Sequence, residues 1–301
     1  MHGDVRSRSD LDGVRGVDLL LECSAEPSVH AGYGGSPDYL VETNLLGTWN
    51  CLELARRERC DFLFLSTSRV YAIAALTALP LTASAQRLDV AENASGPGWS
   101  WHGITTGFGD RGSRSLYGAT KLASELLIEE YRAMYGIRAI VDRCGVLTGP
   151  WQMGKVDQGF LVLWAARHLY GGPLAYSGFG GQGLQVRDVL HVLDLHDLIA
   201  TQIESFGELD GRVFNVGGGR DGSVSLRELT AACAARAGRT IPIGSDPATR
   251  AADVPWYVTD NREVTAETGW RPRRAVSTIL DEVFAWLTDH RSQLEPILGA
   301  S

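Results

Sequence analysis

The 301-residue sequence lacks long apolar runs, an excess of positive charge and any paired spacing of its cysteines. No stretch approaches the length of a membrane-spanning helix, and we expect neither a signal peptide nor membrane association. The net charge of −8 argues against nucleic acid and anionic lipid as main partners. The five cysteines and seven histidines show no metal-ligand spacing, so we expect no metal. The odd number of cysteines indicates reduced thiols and a cytoplasmic location.

A Gly-rich phosphate-binding turn is also missing from the front of the chain. Such a turn joins a strand to a helix whose N-terminus faces a phosphate. Gly13, Gly16 and the pair Gly34 and Gly35 do not reproduce this pattern in a strand-to-helix setting. The N-terminal part of the given sequence therefore shows no Gly-rich phosphate-binding turn.

Apolar runs and helical periodicity alternate along the first half of the chain. They predict strands at 17–21, 62–65 and 138–142, separated by helices at 39–59 and 116–135. The runs are short and continuously apolar, as in strands buried on both faces of a sheet. This alternation is typical of an α/β protein with a doubly wound parallel sheet.

Tyr117 and Lys121 are four residues apart on the second predicted helix, and therefore share one helix face. A phenol has an ordinary pKa near 10, but a neighbouring cation favours its ionised form. Tyr117 could then take a proton from a hydroxyl group. The pair also occurs by chance on surface helices, where the lysine is only a solvated charge.

Ser66 and Thr67 directly follow the apolar run at 61–65. Because ligands of open α/β sheets bind at the carboxyl ends of strands, these hydroxyls are placed to meet a substrate oxygen. The alternative is that they cap the next turn, which is the commoner role of such residues.

Taken in order, many short segments make the chain similar to extended short-chain dehydrogenases/reductases of the NAD-dependent sugar epimerase/dehydratase family. The resemblance covers essentially the whole chain and implies a Rossmann-type fold with NAD as cofactor. The matching segments are 2–6, 23–29, 44–48, 66–71, 117–121, 143–150, 185–188 and 215–219.

Family members begin with a strand, a Gly-rich turn and a helix, whereas residues 2–6 match a segment that follows this unit. The resemblance therefore implies an N-terminally truncated sheet, with an upstream stretch of roughly sixty residues, or two βα units, belonging to the natural protein. The alternative is that the polypeptide is the natural product and has lost tight dinucleotide binding.

The family's organisation implies two domains in this chain. Residues 1–150 would be the remnant of the NAD-binding domain and would carry the catalytic residues. Residues 151–301 would mainly bind a nucleotide sugar, with a segment near 185–200 packing back on the first domain.

The family's cofactor-binding positions carry over residue by residue. Asp4 and Val5 would flank the adenine, Asn44 would lie near the diphosphate or the nicotinamide ribose, and Ser66 would contact that ribose. The full set is Asp4, Val5, Cys23, Ser24, Ala25, Asn44, Ser66, Tyr117 and Lys121.

The family's reaction and substrate positions carry over in the same way. Thr67 would bind the reacting sugar oxygen, Tyr117 would be the acid/base, and Lys121 would bind ribose hydroxyls and tune Tyr117. Arg187 and Arg250 match positions that clamp a nucleotide diphosphate. The segment holding Gln152, Gln158 and Gly159 is similar to the substrate-contact region of CDP-paratose 2-epimerases.

The residues after Thr67 narrow the implied reaction. Dehydratases of the family carry Asp and Glu there, whereas this chain has Ser68 and Arg69, which cannot perform that acid/base work. The resemblance thus favours an NAD-dependent nucleotide-sugar epimerase, most like a CDP-sugar 2-epimerase. It also implies a homodimer or a higher homo-oligomer. The alternatives are another 4-epimerase or reductase, or a non-catalytic nucleotide-sugar-binding protein.

Overall fold

Strands and helices alternate along the residues that the computed structural model describes, which are 2–109, 111–155 and 158–299. The strands are β1 (Leu19–Glu22), β2 (Asp61–Thr67), β3 (Leu81–Ala83), β4 (Leu88–Val90), β5 (Ser95–Gly96), β6 (Trp99–Ser100), β7 (Gly103–Ile104), β8 (Ala139–Cys144), β9 (Val146–Thr148), β10 (Leu174–Ser177), β11 (Val186–His191), β12 (Val213–Val216), β13 (Ser223–Ser225), β14 (Ile243–Asp246) and β15 (Trp256–Tyr257). The helices are α1 (Arg8–Leu11), α2 (Asp38–Val41), α3 (Gly47–Glu58), α4 (Ile73–Thr77), α5 (Ser115–Tyr135), α6 (Phe160–Tyr170), α7 (Val192–Glu204), α8 (Leu226–Ala237), α9 (Arg262–Thr268), α10 (Val276–Asp289) and α11 (Arg291–Leu298).

The central sheet has the strand order β1-β2-β8-β12, and each neighbouring pair is parallel. Phe62, Leu63 and Phe64 of β2 are completely buried, as a strand covered on both faces requires. Helices supply the cover. Leu52 of α3 packs on the face that carries Phe64, and Leu198 of α7 packs on the face that carries Leu63. The predicted α/β fold with a parallel sheet is confirmed.

Most of the predicted boundaries differ from the structure by one or two residues, and one predicted helix is interrupted. The first strand begins at Leu19 rather than at residue 17. The helix predicted over 39–59 is interrupted, because a π-helical turn at Glu42–Leu46 separates α2 from α3. It ends at Glu58, where Arg59 takes a left-handed conformation with φ 57°. π-Helical turns are rare and are often found at functional sites.

The second half of the chain forms smaller sheets and a helical layer. β13, β11 and β15 form one sheet, and β9 pairs with β11. Helices α6, α8, α10 and α11 share a separate apolar core that contains Trp164 and Leu287. The division of the chain near residue 150 stays a prediction. Within the described ranges, none of the helices combines the length and the apolar character needed to cross a membrane.

Candidate active site

Ser66 and Thr67 end β2 at the carboxyl edge of the parallel sheet, where open α/β sheets bind ligands. The Thr67 hydroxyl accepts a hydrogen bond from the Arg69 backbone N–H at 3.2 Å and caps the 3-10 turn Ser68–Val70. A hydroxyl that accepts one bond can still donate its proton. Thr67 can therefore cap this turn and bind a ligand oxygen at the same time.

Tyr117 lies in the first turn of α5, and its half-buried phenol hydrogen-bonds the Thr67 side chain. Burial raises the pKa of the Tyr117 phenol, whereas the bond with Thr67 and the positive charge of Arg69 act in the opposite direction. The net effect is a phenol that is protonated at neutral pH. It needs further positive charge beside it to act as a base.

Lys121, one turn further along α5, is buried, and its Nζ lies 3.9 Å from the centroid of the Phe64 ring. Burial lowers the pKa of Lys121, and the charge of Glu22 is the largest opposing influence. The predicted tuning of Tyr117 by Lys121 stays a prediction, because here the cation that acts on the phenol is Arg69.

Glu22, at the end of β1, is a buried carboxylate that sequence reasoning missed. Its Oε1 accepts hydrogen bonds from the hydroxyls of Thr48 at 2.8 Å and Ser24 at 3.2 Å. Its Oε2 is buried and has no hydrogen-bond partner among the described residues. Burial raises the pKa of Glu22, and the Lys121 ammonium opposes this shift. A charged residue closing an apolar run was the available signal.

Ser66 is held by a buried ion pair, and its predicted contact with the nicotinamide ribose stays a prediction. Its hydroxyl donates to Glu125 Oε1 at 2.5 Å, and Glu125 Oε2 binds Nη2 of Arg143 at 2.7 Å. Arg143 also donates to the Tyr71 hydroxyl at 3.2 Å. The pair braces the carboxyl ends of β2 and β8 against α5, and it was not found from the sequence.

Asn44 lies in the π-helical turn and is completely buried. Its side-chain oxygen accepts from the Glu26 backbone N–H at 2.7 Å, and its side-chain nitrogen donates to the Glu26 carbonyl at 3.0 Å. Both bonds anchor the loop that follows β1. The predicted cofactor contact of Asn44 stays a prediction.

Asp4 and Val5 lie outside the cavities described below. Hydrogen bonds from Arg6 lower the pKa of Asp4 to about 2, and the two side chains approach to 2.6 Å. The Val5 carbonyl accepts from Asn50 Nδ2 at 2.9 Å, which docks this segment on α3. Their predicted contact with adenine stays a prediction.

A cavity of about 410 Å³, here called the reaction cavity, opens at the carboxyl ends of β1, β2 and β8. It brings together most of the predicted site residues from both halves of the chain. Those that line it are Cys23, Ala25, Ser66, Thr67, Tyr117, Lys121, Gln152, Gln158, Gly159 and Arg187.

The substrate segment enters the reaction cavity through a tight loop. Gln152 accepts a hydrogen bond from the Thr148 hydroxyl at 2.9 Å and donates to the Leu147 carbonyl at 2.9 Å. Gly159 has φ +71°, and a Cβ there would lie 3.1 Å from the Gly154 Cα, so both the backbone conformation and the space favour glycine. Val156 and Asp157 of this segment lie outside the described residues.

A second cavity of about 580 Å³, the outer cavity, adjoins the first. Arg250 lines only the outer cavity, whereas Arg187 lines both. Val29, Arg69 and Phe160 are also shared by the two cavities. The hydroxyl-rich reaction cavity and the arginine-rich outer cavity thus meet at Arg69 and Arg187.

The reaction cavity fits the nicotinamide end of NAD, because Tyr117, Lys121 and Ser66 offer the phenol, ammonium and hydroxyl that its ribose needs. In the described residues, no Gly-rich turn joins a strand to a helix; β1 is followed by a long loop before α2 at Asp38. Nor do three His, Cys, Asp or Glu side chains gather there as metal ligands.

Comparisons with known proteins identify the family of this chain. The family model described as "NAD dependent epimerase/dehydratase family" matches residues 1–217. CDP-paratose 2-epimerase of Salmonella typhi is 25% identical over 95% of this chain and 83% of its own length. dTDP-glucose 4,6-dehydratase of Streptomyces niveus is 27% identical over 99% of this chain and 78% of its own length.

A solved structure, UDP-glucose 4-epimerase of Thermus thermophilus in complex with NAD, shares the fold with a TM-score of 0.74. It is 24% identical, and the match covers 95% of this chain and 83% of that one. NAD is the cofactor of the matched family. Since the family match spans well over half of its length, this chain belongs to the NAD dependent epimerase/dehydratase family.

Proposed function

We propose that the protein is an NAD-dependent nucleotide-sugar epimerase whose reaction is most like that of CDP-sugar 2-epimerases. One observation carries this proposal: among the described residues, no Asp or Glu lines the reaction cavity, although Tyr117 and Thr67 do. Removing water from a sugar requires an acid and a base in addition to the tyrosine. Epimerisation requires only one acid/base for the reacting hydroxyl.

The chain's own residues supply the proton chemistry. Thr67 donates a hydrogen bond to the reacting sugar oxygen, and Tyr117 takes the hydroxyl proton as the carbon is oxidised to a ketone. NAD, when bound, supplies the reversible hydride acceptor that makes this oxidation transient. Tyr117 returns the proton once the carbonyl has been reduced on its opposite face. Lys121 and Ser66 hold the nicotinamide ribose.

The preference for a CDP-sugar rests on similarity. Gln152, Gln158 and Gly159 line the reaction cavity, and their segment resembles the substrate-contact region of CDP-paratose 2-epimerases. CDP-paratose 2-epimerase of Salmonella typhi is also among the relatives. A 4-epimerase or a reductase of the same family is the alternative, because both reactions use the same tyrosine.

The decisive experiment is to incubate the protein with NAD and either CDP-paratose or CDP-tyvelose and to follow the sugars by proton NMR. We expect the two epimers to interconvert without net NADH accumulation at 340 nm, and Tyr117→Phe to abolish the exchange. Steady NADH formation would indicate a dehydrogenase. A 4-keto-6-deoxy product from a hexose substrate would identify a dehydratase and overturn the proposal.

A second candidate is a non-catalytic nucleotide-sugar-binding protein. Calorimetric titration with NAD separates the two functions. Nucleotide-sugar binding without measurable NAD binding would support this candidate and contradict the epimerase.

A homodimer and a reducing compartment complete the proposal. The helices predicted at 39–59 and 116–135 resemble the pair through which family members form dimers. Apolar side chains are exposed on both of them, including Trp49 of α3 and Leu126 and Met134 of α5. Because α3 and α5 pack against each other, apolar side chains exposed on both helices are available for one contact surface. All five cysteines are free thiols, which supports a cytoplasmic location.

A further inference from the structure

Arg69 stands where the two cavities meet, a place here called the passage. Its side chain lines both the reaction cavity and the outer cavity, as does that of Arg187. Any ligand that places one end in each cavity must pass these two guanidinium groups. Their surroundings therefore decide what kind of group can lie in the passage.

The two guanidinium groups have carbonyl partners but no close carboxylate. Arg69 Nη1 donates to the Ala252 carbonyl at 2.9 Å, and Arg187 donates to the carbonyls of Val186 at 2.8 Å and Val254 at 2.5 Å. Among the described residues, no carboxylate oxygen lies within the 4.0 Å of an ion pair from either arginine. Asp253 acts on both of them only at longer range.

Two neighbouring cations without a close counter-charge are costly to bury. Burial and the charge of Arg69 lower the pKa of Arg187 to about 9. Buried charges are usually paired or hydrogen-bonded to an opposite charge. The passage therefore favours a ligand that carries roughly two negative charges.

A nucleoside diphosphate sugar has this distribution of charge. Its nucleoside and its sugar are neutral, and its two phosphates lie between them. With the sugar beside Tyr117 in the reaction cavity and the nucleoside in the outer cavity, the diphosphate falls at the passage. Guanidinium forks bind phosphate oxygens with two parallel hydrogen bonds, which adds geometric selectivity to the charge.

We infer that Arg69 is a second diphosphate-binding residue, acting with Arg187 at the passage between the cavities. This inference rests on the proposed nucleotide-sugar substrate but not on the reaction performed on it. The competing role is structural, because Arg69 and Arg187 both bond the segment 252–254 and could simply hold it in place. A structural role would weaken every ligand of the outer cavity alike.

The test measures binding of CDP, UDP and dTDP, and of the matching nucleosides, to the wild type and to Arg69→Met. Calorimetry serves for the diphosphates and ligand-observed NMR for the nucleosides. We expect the variant to weaken the best-bound diphosphate at least 30-fold and to change nucleoside binding less than twofold. Arg262→Met is the matched control, because Arg262 pairs with Asp260 and lines neither cavity; it should bind like the wild type.

Equal losses for diphosphate and nucleoside, no loss for either, or no diphosphate binding by the wild type would each overturn the inference. UDP-glucuronate is titrated as a further ligand: a loss of affinity confined to it, with UDP unaffected, would assign Arg69 to a sugar carboxylate and also overturn the inference. If Arg69→Met does not fold, Arg69→Lys decides: a selective 3- to 10-fold loss of diphosphate affinity supports the inference, and unchanged affinity contradicts it. Arg69-dependent diphosphate binding without epimer exchange would reject the proposed reaction alone.

Discussion

The backbone carbonyl oxygen of Arg69 lies so close to Gly118 that a Cβ on this glycine would come within 2.1 Å of it. The contact joins the turn after β2 to the first turn of α5, directly beside Tyr117. Only a residue without a side chain permits this approach. The position of Arg69 close to Tyr117 thus depends on the absence of a side chain at Gly118.

Gly118→Ala should therefore disrupt the site. Alanine favours a helix over glycine by about 1 kcal/mol, but overlap with a backbone carbonyl costs about 1 to 3 kcal/mol and forces α5 away from the turn. We expect a net loss of stability in urea denaturation and at least a tenfold loss of epimerase activity. Gly13→Ala is the control, because a Cβ there meets nothing within 4 Å. Equal behaviour of the two variants would contradict the prediction.

Glu125→Gln tests the buried ion pair that braces Ser66. The side chains of Glu125 and Arg143 are 7% and 14% exposed, so removing one charge leaves the other buried without a partner. We expect a loss of about 3 kcal/mol in the free energy of unfolding. Glu295→Gln removes an exposed partner of Arg291 on α11 and should cost at most about 0.5 kcal/mol. Similar losses in both variants would show that the buried pair has no special role.

Asp142→Asn should make stability less dependent on pH. Burial raises the pKa of Asp142 from 3.8 to about 7, although Gln202 donates to its Oδ1 at 2.8 Å. The folded state thus holds the proton more tightly than the unfolded state, and stability falls as pH rises from about 4 to 7. The fall amounts to at most about 4 kcal/mol.

The Asp142→Asn variant should match the wild type near pH 4 in urea denaturation and exceed it by about 1 to 3 kcal/mol at pH 8. The amide also offers a donor in place of Oδ2, which has no partner among the described residues. A difference between the two proteins that is the same at both pH values would refute the assigned pKa.

Leu126→Glu tests the proposed dimer. Leu126 is 58% exposed on α5, and a charge buried at a contact between two chains would oppose association. We expect light scattering to give a dimer mass for the wild type and a monomer mass for the variant. Ile297→Glu is the control, since Ile297 is 63% exposed but lies on α11; it should remain dimeric. A monomeric wild type would refute the dimer.

The sheet was predictable because its strands are apolar for a local reason. Phe62, Leu63 and Phe64 are buried on both faces of the sheet, so consecutive residues of the strand are apolar and the run is visible in the sequence. The break in the helix predicted over 39–59 was not predictable in this way. Asn44 sits in a π-helical turn and bonds the backbone of Glu26, which is distant in sequence. A window of neighbouring residues carries no information on such a contact.

The site was partly predictable for a similar reason. Thr67, Tyr117 and Lys121 follow from motifs, and they do line one cavity. Arg69 was visible in the same motif, but only as a residue unfit for dehydration. Its place beside Tyr117 depends on the close approach at Gly118, which is a property of the packed structure. The influence of Glu22 on Lys121 likewise depends on the packed structure, because the two residues are far apart in sequence.

The arginine passage also bears on how the protein responds to salt. The molecule carries a net charge of −8, so it repels an anionic ligand at distances where only the total charge is felt. In the proposed complex, Arg69 and Arg187 attract the same ligand inside the passage, where water and ions screen their charges less. Added salt should therefore speed the ligand's arrival by weakening the repulsion and affect its departure much less. Moderate ionic strength would then favour capture, the reverse of what is usual for a protein that binds phosphates with arginines.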